Sequence, residues 1–158
     1  MSEPGAVRTD GRAHDGRSTL TRRVRFSATH RYHRPDWDDA MNAALFGACA
    51  ATAPHGHDYT CDVTIAGTID PQTGMVIDLS VLDRVLQAQV VGPFHGRSLN
   101  GAAEFQAGGL IPTCEEVARL IACRVGVALA DANVHAAHVH HVRVAEDETL
   151  SADWTAPA

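Results

Sequence analysis

The first clear periodicity along the chain begins at Arg22. Val24, Phe26, Ala28 and His30 alternate with Arg25, Ser27 and Thr29, the two-residue repeat of a half-buried strand, and His30 falls on the apolar side. The segment 35–46 (PDWDDAMNAALF) predicts a short helix opened by Pro35 and early acids and ended by Gly47. A second strand is predicted over 57–67, with His57, Tyr59, Cys61, Val63 and Ile65 on one face and Asp58, Thr60, Asp62 and Thr64 on the other. Residues 69–77 (IDPQTGMVI) predict a reversal around Pro71 and Gly74.

Helical spacing then takes over. Ser80 and Asp83 stand where a capping box would, ahead of the stripe Leu82, Val85, Leu86 and Val90. A glycine-rich loop is expected over 92–109. The next helix has the cleaner start: Thr113 as N-cap, Glu116 in the reciprocal position, and Val117, Leu120, Ile121, Val125, Ala128 and Leu129 as its buried face. Strand patterns return over 138–145 and 150–155, with His138 and His140 on one face and His141 on the other. The fold class that follows is α+β: a four-stranded antiparallel sheet with two helices packed on one face. Neither terminal strand is blocked by proline or a row of lysines, so edge pairing between subunits into a barrel is expected.

At 158 residues the chain suits one domain, over 19–158, preceded by a polar, charged segment 1–18 expected to be flexible. No stretch approaches the ~20 apolar residues of a membrane span, and the opening residues lead into no hydrophobic run. Four cysteines without a Cys-x-x-Cys pair fit a reducing, cytoplasmic setting. A net charge of −6 argues against a nucleic-acid partner.

The chemistry concentrates in a few side chains. His55 and His57 are two apart and point to one side of an extended chain, and His30 lies on the matching face of the preceding strand. Three converging imidazoles leave a fourth position open, as catalytic zinc sites do; iron and nickel also accept imidazole. Cys49, six residues before His55, would sit near such a cation, which would lower its thiol pKa and make it a base or nucleophile. His95 is a candidate general acid or proton shuttle. Glu146 shares the parity of Val142 and Val144, so it points inward and needs a partner. A heterocycle offering adjacent N–H and amino donors is an apt one.

Taken in order, FSATH (26–30), LFGAC (45–49), HGHDY (55–59), DPQTGMVIDL (70–79), SLN (98–100), PTCEE (112–116) and VRVAED (142–147) resemble the 6-pyruvoyl-tetrahydropterin and 6-carboxy-tetrahydropterin synthase family. That resemblance implies the tunnelling fold, a homo-hexamer built as a dimer of trimers, and active sites between subunits. It implies zinc on His30, His55 and His57, Cys49 as catalytic base, and Glu146 as anchor of the pterin ring. Thr113, Cys114 and Glu115 would line the pterin pocket. The implied reaction converts 7,8-dihydroneopterin triphosphate to 6-pyruvoyl- or 6-carboxy-tetrahydropterin. A diverged member acting on another pterin or purine-like substrate, and a non-catalytic pterin-binding homologue, are the alternatives.

The chain departs from the family pattern at three places. Phe94-His95 stands for Asp-His, Glu115-Glu116 for Glu-Asn, and Glu146-Asp147 for Glu-Thr. Phenylalanine cannot orient or polarise a histidine, so proton shuttling by His95 should be weakened unless another acid such as Glu104 or Asp147 substitutes.

Overall fold

The computed structural model describes residues 16–53 and 55–157, the side chains of residues 107 and 108 excepted. Most of the expected flexible segment 1–18 therefore lies outside the described residues; its last member, Ser18, already belongs to a strand.

Strand β1 (Ser18–His30) pairs antiparallel with β2 (His55–Gly67) along thirteen positions, from Ser18 opposite Gly67 to His30 opposite His55. Strand β4 (Ala137–Ala145) pairs with the other side of β2, and β5 (Ser151–Thr155) with β4, both antiparallel. These are the four strands the alternation predicts. A fifth, β3, consists of Arg97 and Ser98 alone and runs parallel to β1, giving the order β3-β1-β2-β4-β5. The helices are α1 (Asp39–Phe46), α2 (Leu79–Leu86), α3 (the single turn Gly92–Phe94), α4 (Ala103–Gly108) and α5 (Cys114–Asp131).

The core lies between one sheet face and helices α2 and α5. Phe26, Tyr59, Cys61, Val63, Ile65, Val142 and Val144 meet Leu82, Leu86, Val117, Ile121, Val125 and Leu129. Strand and helix periodicities predicted from the pattern bury most of the residues they name, Val24, His57 and Ala128 being only half-buried.

Local details differ where tertiary contacts decide. Asp38, not Pro35, starts α1, accepting the Met41 N–H at 2.7 Å. Asp78 rather than Ser80 caps α2, accepting the Ser80 N–H at 2.8 Å, while Asp83 pairs bidentately with Arg22 on β1. Thr113 does cap α5, but Glu116 turns to Arg119 instead of closing the box. A β-bulge in β4 sets His141 opposite Thr64 and Val139 opposite Ile65, leaving His140 extra. His141 is thereby turned toward Asp153, at 2.8 Å.

The expected loop over 92–109 is largely structured. A π turn, Gln87–Val91, continues α2 into α3. It ends at Gly92, where a Cβ would stand 3.1 Å from the Gln87 carbonyl oxygen, a tight contact relieved by a shift of a few tenths of an ångström.

Candidate metal centre

His30 ends β1 and His55 begins β2, so the two face each other across the last rung of the ladder, with His57 two residues on. One ring nitrogen from each lies within 4.8 Å of the other two. His30 is fully buried, its Nε2 2.9 Å from His55 Nε2 and its Nδ1 2.6 Å from the Tyr59 hydroxyl. Tyr32 stacks on its other side at 4.6 Å. Burial, then His55, then His57, lower the His30 pKa to about 4, so the imidazole is neutral and free to ligate at physiological pH.

His57 Nε2 is buried and has no hydrogen-bond partner among the described residues. Such an orphan is costly unless something outside the chain engages it. These donors fit a borderline divalent ion with nitrogen ligands. Tetrahedral zinc would require adjacent nitrogens about 3.3 Å apart, so the His30–His55 pair would open by a few tenths of an ångström.

Cys49 lies in the 3-10 turn Gly47–Ala50, whose carbonyl at Cys49 accepts the Tyr32 N–H at 2.8 Å. That bond brings its Sγ within 3.7 Å of His55 Nε2. Burial, and after it the Glu146 carboxylate, push the Cys49 thiol up. The expected lowering therefore depends wholly on the charge of a bound cation.

Glu146 follows β4 directly and is buried, with the inward parity predicted. It accepts from the Cys114 thiol at 3.7 Å, and burial followed by that carboxylate raises the Cys114 pKa to about 12. Thr113 has its hydroxyl engaged as the α5 cap, and Glu115 is exposed beside it. His30, His55, His57, Cys49, Cys114 and Glu146 are thus brought together from β1, β2, the 3-10 turn, α5 and the end of β4.

His95 is not part of this cluster. It is exposed beyond α3, and its Nδ1 accepts the Ser27 backbone N–H at 3.1 Å, filling a position on the open edge of β1 where a strand would otherwise bond. It borders a cavity of about 380 Å³ lined also by Arg25, Ser27, Asp58 and Thr60.

Neither acid that could have substituted for the missing partner of His95 reaches it. Glu104 is held bidentately by Arg124, and Asp147 is bound into the turn after β4 by Thr149 and Leu150. Phe94 is core, packed 5.4 Å from Phe26 with Arg124 over its ring at 5.2 Å. Two site residues escape the sequence reading. Tyr59 carries the right parity but looks like core, and Tyr32 continues the His30 parity past the point where the strand ends.

Comparison with known proteins agrees with this picture. The family model for 6-pyruvoyl tetrahydropterin synthase matches residues 19–157. The human protein called 6-pyruvoyl tetrahydrobiopterin synthase is 34% identical over 110 residues, 70% of this chain and 75% of its own length. The Drosophila melanogaster protein of that name is 39% identical over 88 residues, 56% of this chain, and the match spans only about half (52%) of its length. The Caenorhabditis elegans 6-pyruvoyl tetrahydropterin synthase structure superposes with a TM-score of 0.80 at 26% identity, covering 90% of this chain and 97% of that one. The Plasmodium vivax enzyme structure, at 14% identity and TM-score 0.62, supports the tunnelling fold alone. No helix among the described residues is long and apolar enough to cross a membrane. The chain belongs to the 6-pyruvoyl tetrahydropterin synthase family.

Proposed function

We propose that the chain is a zinc-dependent lyase that converts 7,8-dihydroneopterin triphosphate to 6-pyruvoyl- or 6-carboxy-tetrahydropterin. The observation that carries this reading is the convergence of three imidazole nitrogens within 4.8 Å, one of them a buried orphan, beside a cysteine and a buried carboxylate. Held by His30, His55 and His57, the ion would supply a Lewis acid next to the substrate side chain.

The chain's own groups divide the remaining work. Glu146 accepts hydrogen bonds from a ring N–H and an amino group of the pterin, with Thr113, Cys114 and Glu115 along the same wall. Cys49 removes a proton from the substrate side chain. Tyr59 fixes the His30 ring from behind, and Tyr32 covers its face. His95, exposed and turned away from this cluster, would serve as acid or shuttle only in the site of a neighbouring subunit. This favours a homo-hexamer with active sites between subunits, working in the cytoplasm on a small-molecule pterin. A different pterin substrate is the second reading, favoured by the exposed acids Glu115 and Asp147 near the pocket.

The test is to load the purified protein with a stoichiometric, measured amount of zinc, add 7,8-dihydroneopterin triphosphate and resolve the products by mass. Loss of triphosphate and appearance of either tetrahydropterin is expected, abolished by chelation and restored by zinc. Unchanged substrate with zinc fully bound would overturn the reading.

A further inference from the structure

We propose that Asp147 is a positioning residue for the histidine trio: a carboxylate clamped at the end of β4 that steadies His57 and strengthens the hold of the three imidazoles on a divalent cation. The inference rests on the metal-bound reading above and concerns a residue at which this chain departs from its family's pattern.

The clamp is on one oxygen only. Asp147 Oδ1 accepts from the Thr149 N–H at 2.6 Å, the Thr149 hydroxyl at 2.7 Å and the Leu150 N–H at 2.9 Å. The Glu146 N–H, donated to the Leu150 carbonyl at 3.1 Å, closes the same turn. Asp147 Oδ2 has no hydrogen-bond partner among the described residues. The carboxylate is therefore fixed in place with its second oxygen unspent.

What lies beside it is His57. A ligand atom from each of His57, Glu146 and Asp147 lies within 4.8 Å of the other two, with no direct hydrogen bond joining Asp147 to His57. Within that limit one bridging water could join the two. Tyr59 secures the His30 ring at 2.6 Å, whereas His57 has no such partner: with Nε2 given to the cation, its other ring nitrogen makes no hydrogen bond among the described residues. Glu146 has its own work at the pocket wall, already receiving the Cys114 thiol. Asp147 is thus the acid left to do for His57 what carboxylates behind metal-ligating histidines do: orient the ring and add negative charge near the cation. Removing such a partner weakens metal binding by about 10- to 100-fold. With a solvent-exposed carboxylate acting across a gap, the lower end applies.

The competing account makes Asp147 a turn-former only. Asp147→Asn separates the two, because the amide oxygen can keep the Oδ1 bonds while the charge is lost. Thr149→Val retains the charge and loosens the clamp. Zinc affinity would be measured by chelator competition, the d–d spectrum recorded with cobalt in place of zinc, and the melting temperature taken in excess chelator.

Asp147→Asn should weaken zinc binding about tenfold, alter the cobalt spectrum and leave the metal-free melting temperature in place; Thr149→Val should show a smaller loss of affinity. Equal zinc affinity in wild type and Asp147→Asn overturns the proposal, as does a fall in affinity matched by a fall in metal-free stability. A wild-type chain that binds no zinc overturns both this inference and the metal-bound reading. Zinc binding that depends on Asp147 in a protein inert toward the pterin would sustain the inference and sink the lyase.

Discussion

Oε2 of Glu146 stands 3.9 Å from Nδ1 of His30, so the chain just past β4 meets the last residue of β1 across the end of β2. The register explains how. β1 pairs with β2 as far as His55, whereas β4 leaves β2 at Thr60, opposite Ala145. Residues 55–59 are thus bonded on one side only, and Glu146 turns into the space beside them. The three histidines and the Glu146 carboxylate share that notch because the two ladders end five residues apart.

Glu146→Gln keeps the size of the side chain but replaces one acceptor with a donor facing a donor. Hydrogen bonds to a charged group contribute about 1.5–3 kcal/mol, so KM for the pterin should rise about ten- to a hundredfold. Zinc content should hold, since Glu146 is not among the proposed ligands. A steady-state comparison of KM and kcat decides it, and an unchanged KM would remove Glu146 from ring recognition.

Cys49→Ala addresses the proton transfer. Its Sγ is 3.7 Å from His55 Nε2 and lies outside the proposed ligand set, so the variant should bind zinc as the wild type does. Turnover should fall by about 10²- to 10⁴-fold, the usual worth of a positioned base. Normal turnover would assign the proton to another group.

Phe94→Asp would at first sight restore the acid that the family pattern places before the histidine. The structure argues the opposite, because Phe94 is 2% exposed and wedged between Phe26 and Arg124. Truncating a buried phenylalanine already costs about 3–5 kcal/mol, and a carboxylate there adds desolvation. Urea denaturation should show a loss at least that large, with no gain in turnover.

The three candidate ligands are legible in the sequence because a strand's two-residue repeat fixes which side chains share a face. His30, His55 and His57 need nothing beyond that rule and an antiparallel pairing. Thr113 is legible for a similar reason: an N-cap is a local arrangement. The placement of His95 is not, since it depends on the backbone edge of β1, sixty-eight residues away in the chain. Asp83 likewise looks like a capping residue until Arg22 is brought alongside. The bulge at His140 arises from the pairing of β2 with β4, and no periodicity within β4 announces it. The reading fails where a partner distant in sequence outbids a local preference.

Alkaline pH offers a test of the core that is independent of catalysis. Burial pushes the thiols of Cys61 and Cys114 up to about 12 from an ordinary value near 9.0, with Asp62 adding to the first and Glu146 to the second. In the unfolded chain both thiols ionise near pH 9, while in the folded protein they stay protonated. Between those values the folded state binds more protons, so stability falls as pH rises. Below about pH 9 neither thiol contributes a slope. Denaturant midpoints should therefore be flat through neutrality with respect to these groups and decline from about pH 9 toward pH 12. A Cys61→Ala, Cys114→Ala double variant should start from lower stability, because Cys61 is fully buried, but show a shallower alkaline decline. An identical slope in wild type and variant would mean that neither thiol is shielded as the structure has it.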